Sequence, residues 1–255
     1  MRINYHTHTT RCGHAEGEDR EYVETAISRG LNVLGFSDHV PMPFPDGHES
    51  HHRVPIAKLE DYVSGVLSLR KEYGRQIEIL LGFEAEYYPD LFERMRELLR
   101  PYPVDYLLLG QHYNDSGEHI YNTIPQNNEA ALVRYTDRCI EAMQTGCFSY
   151  LAHPDLFCFT GDPSVYEREA ARLCESAKAL DIPLEINLLG LRDHRNYPTE
   201  RFWKIAGEMG CRTVFGCDAH APRDLAAPDN LKEAAEFAER FGISPEEQVV
   251  LRKPL

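Results

Sequence analysis

The chain has 255 residues, 42% apolar and 27% charged, and 27 Lys and Arg against 41 Asp and Glu leave a formal charge of −14 at pH 7. That composition excludes a disordered chain, and no apolar run approaches the roughly 18 residues of a membrane-spanning helix. The acidic balance argues against non-specific nucleic-acid binding, because a surface of that sign repels phosphates.

Met1 leads straight into RINYHTHTT without a basic and apolar leader. The seven cysteines form no C-x-x-C pair. A cytoplasmic chain with reduced thiols is expected. Short apolar runs then alternate with amphipathic stretches. Residues 2–8, 31–37, 77–84, 104–112, 148–153, 184–188 and 213–218 read as buried strands. Residues 19–28, 57–73, 91–99, 128–144, 165–180, 199–209 and 231–241 carry apolar side chains at three- and four-residue intervals and read as helices. Gly30, Gly74, Gly146 and Gly210 fall where helices stop, and left-handed caps are expected at all four. Strand–helix pairs in succession predict parallel strands with helices outside, as a closed barrel or an open wound sheet. No linker divides the chain, so one domain over 1–255 is expected. Residues 40–55 hold four prolines and predict a loop, placed after a strand on the face where barrel enzymes carry their sites.

Chemistry concentrates at the predicted strand ends. The first ends in His6-Thr-His8, the second in Asp38-His39, the third in Glu84-Ala-Glu86, the fourth in His112, the fifth in His153 and the seventh in Asp218-Ala-His220. Residues two apart on a strand share a face, so His6 converges with His8, and Asp218 with His220. His14 follows on the first loop. Buried without compensation, such groups cost several kcal/mol each. Metal ions remove that cost, and imidazole with carboxylate suits zinc, manganese or iron. The donors are too many for one ion, so two or three divalent ions are expected, and such a cluster suits hydrolysis at phosphorus. No G-x-S-x-G nucleophile motif and no phosphate-cradling glycine loop occurs, and Cys12 and Cys217 read as packing.

The segments YHTHTTRCGH, GFSDHVPMPF, HHRVPIAKLEDYV, EILLGFEAEYYPD, DYLLLGQHY, LAHPDLF, LEINLLGLRDHRNYPT and FGCDAHAP occur in order along nearly the whole chain. Together they resemble the polymerase and histidinol phosphatase (PHP) family, nearest to its histidinol-phosphate phosphatase branch. The resemblance implies an α/β fold, a distorted (β/α)7 barrel, with a trinuclear site at the C-terminal ends of the strands. It implies that His6, His8, Glu84 and Asp218 hold one ion, that Glu84 bridges to a second completed by His112 and His153, and that His14, His39 and His220 bind a third. It also implies attack on phosphorus by a hydroxide held between the ions, in line with the leaving alcohol.

The expected activity is therefore a metal-dependent phosphomonoesterase of histidine biosynthesis acting on a small phosphorylated metabolite, foremost L-histidinol phosphate. Glu84, Asp218, His220 and Asp38 are the expected catalytic set, Asp38 orienting a histidine or assisting proton transfer. Arg192 resembles a phosphate-binding arginine of the family. Where family members carry a basic pair after H-P-D, this chain has Leu156-Phe157-Cys158-Phe159. Arg53 or Arg195 is expected to substitute. His48, His51 and His52 read as solvated loop residues or as part of a cover over the site. Glu86 shares the face of Glu84, as support or bystander. Tyr87 and Tyr88 read as packing. Rival readings are another phosphate ester, a phosphotyrosine protein, a nuclease module or a metal-binding scaffold without activity.

Overall fold

The computed structural model describes residues 1–254. Among these, parallel strands follow one another in chain order without a crossover: β1 (Ile3–Asn4), β2 (Val33–Phe36), β3 (Glu78–Ala85), β4 (Tyr106–Leu109), β5 (Phe148–Leu151), β6 (Leu184–Asn187) and β7 (Thr213–Gly216). The ring closes beyond the named strands. Thr7 bridges Ala219 in parallel, the His8 amide donates to the Ala219 carbonyl at 2.9 Å, and the Ala219 amide donates to the His6 carbonyl at 3.3 Å. The result is a nearly closed seven-stranded barrel rather than an open sheet.

Alternation along the strands divides the core in two. Leu34, Phe36, Ile79, Leu81, Phe83, Leu107, Leu109, Phe148, Leu184 and Ile186 pack outward under the helices. Tyr5, Tyr106, Leu108, Tyr150, Ala152 and Val214 form a separate inner cluster. The Tyr106 ring lies against Gly35 and Gly82, where any Cβ would collide with it, and its hydroxyl donates to the Tyr5 carbonyl at 2.6 Å. Polar residues in the same inward register, Glu84, Glu185, Asn187 and Asp218, then stand above this plug at the C-terminal end.

The outer helices are α1 (Asp19–Ser28), α2 (Leu59–Tyr73), α3 (Phe92–Leu99), α4 (Glu129–Gln144), α5 (Pro163–Ala179), α6 (Leu188–Arg192), α7 (Glu200–Glu208) and α8 (Pro228–Arg240). Local chemistry sets their starts. Glu18 and Glu21 form a capping box on α1, Asn128 caps α4, and Asp162 caps α5 ahead of Pro163. None is long and apolar enough to cross a membrane.

Three expectations need correction. The first strand is much shorter than residues 2–8, because the Asn4 side chain donates to the His6 carbonyl at 3.1 Å and to the Thr7 hydroxyl at 2.8 Å, so local bonds replace the ladder. Gly30, Gly146 and Gly210 do adopt positive φ, but Gly74 sits at φ −60°. There the chain continues a right-handed turn, with the Gln76 and Ile77 amides both donating to the Tyr73 carbonyl, and a Cβ on Gly74 would lie 2.7 Å from the Arg70 carbonyl oxygen. Crowding, not a left-handed backbone, calls for glycine. Finally, α6 has no counterpart among the expected helices. It starts because the Asn187 side chain accepts from the Gly190 amide at 2.9 Å. Residues 40–55 form no strand or helix, in line with the four prolines.

Candidate metal centre

Glu84, almost fully buried at the end of β3, stands at the middle of the site. Its Oε2 lies 3.5 Å from His6 Nε2, 3.5 Å from His8 Nε2 and 3.1 Å from His39 Nδ1. Its Oε1 lies 2.7 Å from His153 Nε2 and 3.6 Å from His112 Nε2. One carboxylate thus faces two groups of imidazoles. Asp218 Oδ1 sits 3.5 Å from His6 Nε2, 3.1 Å from His8 Nε2 and 3.3 Å from His220 Nδ1. His14 completes the group at the rim, its ring centroid 5.3 Å from His39 and 4.9 Å from His220. The structure therefore brings His6, His8, His14, His39, Glu84, His112, His153, Asp218 and His220 into one cavity. His153 and Asp218 hold left-handed backbones, φ 30° and 47°, where each strand turns into its loop.

Whether a divalent ion fits can be judged from the donors themselves. His6 Nε2, His8 Nε2 and Asp218 Oδ1 are buried and, among the described residues, have no hydrogen-bond partner. The four imidazole-to-carboxylate separations among these atoms and Glu84 Oε2 are 3.1–3.5 Å, against about 3.3 Å for the edge of a tetrahedron with 2.0–2.1 Å metal bonds. Further donor groups overlap this one, among them His8 with His39 and His220. Divalent metal binding follows from this set.

Electrostatics divide the cluster. Burial opposes ionisation of Glu84 and Asp218, but the surrounding imidazoles outweigh it and hold both carboxyls well below their usual range. Burial likewise opposes charging of His6, yet Glu185, Asp218 and Glu84 raise it well above an ordinary imidazole. Around them burial and neighbouring imidazoles lower His39 and His14, and bring His220 down to about 3.

Supporting residues lock the donors. Asp38 is fully buried; its Oδ2 accepts from the Thr9 amide and hydroxyl, and its Oδ1 accepts from the His39 amide at 2.9 Å and lies 3.5 Å from His8 Nδ1. It touches His8 from behind rather than facing the cavity. Glu86 accepts from the His112 amide at 3.0 Å, lies 3.2 Å from His112 Nδ1, and receives the Tyr88 hydroxyl at 2.6 Å. Tyr87 packs edge-on against Phe92. Sequence reasoning missed Glu185 and Asn187, which share the inward face of β6. Glu185 Oε2 lies 2.8 Å from His6 Nδ1, and Asn187 Nδ2 donates to Glu185 at 2.7 Å and to Asp218 at 3.0 Å. A carboxylate inside a buried strand was the available signal. Gly110 and Gly216 leave room for the Glu84 and Glu185 carboxylates, which a Cβ at either position would strike.

The cavity above the donors has a volume of about 450 Å3, and beyond the donors its wall comprises His52, Tyr113, Tyr121, Ile124, Leu189, Arg195 and Tyr197. Of the three expected phosphate contacts, Arg195 is in that wall, its Nη1 donating to the Tyr197 hydroxyl at 3.1 Å and its Nη2 3.6 Å from Asp193 Oδ2, and Arg53 lines a small side recess bounded by His14, His39, His52 and His112. Arg192 lies outside both, held 2.8 Å from both Asp193 and Asp224. Arg53 is buried between Glu86 and Glu118, so its charge is already matched. The segment after His153 is core: Leu156, Phe157 and Phe159 are buried. Of the loop histidines, His52 reaches the cavity, while His48 is exposed 3.7 Å from Glu118 and His51 is exposed. His119 pairs with Asp115 on the surface, His194 is exposed, and Cys217 packs with its sulfur accepting from the Ala226 amide.

Barrel and donor set together define a metal-dependent phosphatase. The PHP domain family model matches residues 4–188, and the chain belongs to that family. It is 30% identical to the histidinol-phosphatase of Bacillus subtilis over 86% of this chain and 94% of the relative, and 28% identical to a probable histidinol-phosphatase of Deinococcus radiodurans over 92% and 93%. Its fold matches that of a histidinol phosphate phosphatase from Lactococcus lactis, complexed with zinc, L-histidinol and phosphate (TM-score 0.70, 17% identity, 96% of this chain and 95% of that one).

Proposed function

We propose that the chain hydrolyses L-histidinol phosphate to L-histidinol and phosphate, using two or three divalent ions. The observation that carries this reading is Glu84, whose two oxygens face separate imidazole groups at the floor of a cavity with Arg195 in its wall. The histidinol-phosphatase relatives and the ligands named for the Lactococcus lactis structure support the choice of ester. His6, His8, Glu84 and Asp218 would hold one ion, Glu84 with His112 and His153 a second, and His14, His39 and His220 a third. Ions bound there supply Lewis acidity toward phosphoryl oxygens and acidify water.

The chain's own groups do the rest. Arg195 donates to the phosphate from the wall, where its guanidinium has one long carboxylate contact, 3.6 Å from Asp193, against the 2.8 Å contacts of Arg192 and the two carboxylates that enclose Arg53. Asp38 positions His8, and Glu86 positions His112. Tyr113, Tyr121, Ile124, Leu189 and Tyr197 give the organic part of the ester an apolar and aromatic surface and exclude water from it. A panel of histidinol phosphate, phosphoserine, sugar phosphates and phosphotyrosine peptides tests the reading. The highest kcat/KM is expected for histidinol phosphate, and no phosphate release from it by fully metallated protein defeats the assignment.

A further inference from the structure

We propose that Cys12 is a sulfur ligand of the outer metal position and, with two histidines, makes it a thiolate-containing site selective for zinc. This rests on the reading of the cavity as a multi-ion centre. It adds a donor of a different chemical kind.

Cys12 ends the short turn Thr10–Cys12, and Gly13, at φ 86°, reverses the chain so that His14 returns beside it. The sulfur is buried and lies 3.9 Å from His14 Nε2. For bonds of 2.3 Å to sulfur and 2.0–2.1 Å to nitrogen, tetrahedral geometry calls for about 3.6 Å. The ligand atoms of Cys12, His14 and His220 all lie within 4.8 Å of one another.

Both histidines are prepared in the same way. His14 Nδ1 is 3.1 Å from the Cys12 carbonyl oxygen, and His220 Nδ1 is 3.1 Å from the Asp218 carbonyl oxygen. Each ring therefore spends Nδ1–H on the backbone two residues earlier and keeps Nε2 free as a donor. His8 lies beside this group: it falls in one donor set with Cys12 and Asp38 and stacks on His220 at 4.1 Å, with its Nε2 turned to the inner position.

The inner positions offer only nitrogen and oxygen donors, which accept manganese and iron as well as zinc; a thiolate narrows the choice toward zinc. To hold the ion, Cys12 would give up the hydrogen bond its thiol donates to the Thr9 carbonyl at 3.1 Å and release its proton to solvent, leaving a thiolate as the ligand.

Cobalt(II) exchange tests this without reference to turnover. Metal-stripped protein reloaded with cobalt is expected to show a sulfur-to-cobalt charge-transfer band in the near ultraviolet. That band should vanish in Cys12→Ser and in Cys12→Ala and persist in Cys158→Ser. Chelator titration should show one zinc equivalent bound on the order of 10–100-fold more weakly in the Cys12 variants. If both variants misfold, zinc protection of Cys12 against alkylation in the wild-type chain, mapped by peptide mass, gives the same answer. A cobalt protein without the band, or Cys12 alkylated equally fast with and without zinc, overturns the proposal. Failure to turn over histidinol phosphate would leave these readouts intact, whereas failure to take up any ion would sink the functional reading itself.

Discussion

Nδ1 of His6 lies 2.8 Å from Oε2 of Glu185, and both side chains are fully buried. The contact directs His6 Nε2 toward Glu84 and Asp218, and Asn187 carries the same network on to Asp218. Glu185→Gln keeps the volume and removes the charge. Metal affinity measured by chelator competition is expected to fall about 10–100-fold. The far-ultraviolet circular dichroism should stay that of the wild type. Unchanged affinity would refute the positioning role.

Arg195 and Arg192 separate by experiment. Removing a charged hydrogen bond to phosphate costs about 1.5–3 kcal/mol, roughly 10–150-fold in kcat/KM, which is the expectation for Arg195→Ala. Arg192→Ala breaks pairs with Asp193 and Asp224 away from the cavity wall, so kcat/KM should change by less than about threefold. The reverse ranking would return the phosphate contact to Arg192.

Gly110→Ala places a methyl against the Glu84 carboxylate. Ion content, by elemental analysis of the purified variant, should drop along with phosphate release while the helices persist. Gly30→Ala is the contrast: its Cβ meets open space, but φ is 77°. The expected outcome is a lower Tm, a cost of about 1–2 kcal/mol from left-handed strain, and full activity.

Chelation should lower Tm and readdition of zinc or manganese should restore it. The gathered carboxylates and imidazoles exist only in the folded barrel, so the ions bind that state preferentially. A hundredfold excess of free ion over Kd adds about 2.7 kcal/mol per site. A Tm indifferent to chelation would contradict the site.

Much of this was legible because the strand period is two and the barrel keeps that period. His6 with His8, and Glu84 with Glu86, announce their shared faces in the sequence itself. Asp218 could be located for the same reason, but His153, which follows the inward Ala152, reaches the site through its left-handed backbone and was legible only as a polar residue past an apolar run. Arg195 could not be told from Arg192, because both reach Asp193 and only Arg195 also lines the cavity, an outcome of α6, a helix that starts from the Asn187 side chain rather than from periodicity. Glu185 was hidden inside an apolar run. Tyr121 and Tyr197 reach the cavity from loops whose path depends on tertiary contacts, Tyr121 by stacking on His112. Gly74 misled because crowding and left-handed backbone both select glycine.

The seam where Thr7 meets Ala219 has a consequence for how the protein comes into being. His6 follows β1 and Asp218 follows β7, the two strands that flank the seam, yet both side chains face one donor cluster. During synthesis the centre stays half-built until the final strand docks, so ion capture reports completion of the ring. An ion held there would tie β1 to β7 much as a covalent crosslink would, and opening of the barrel at that one seam is expected to be suppressed.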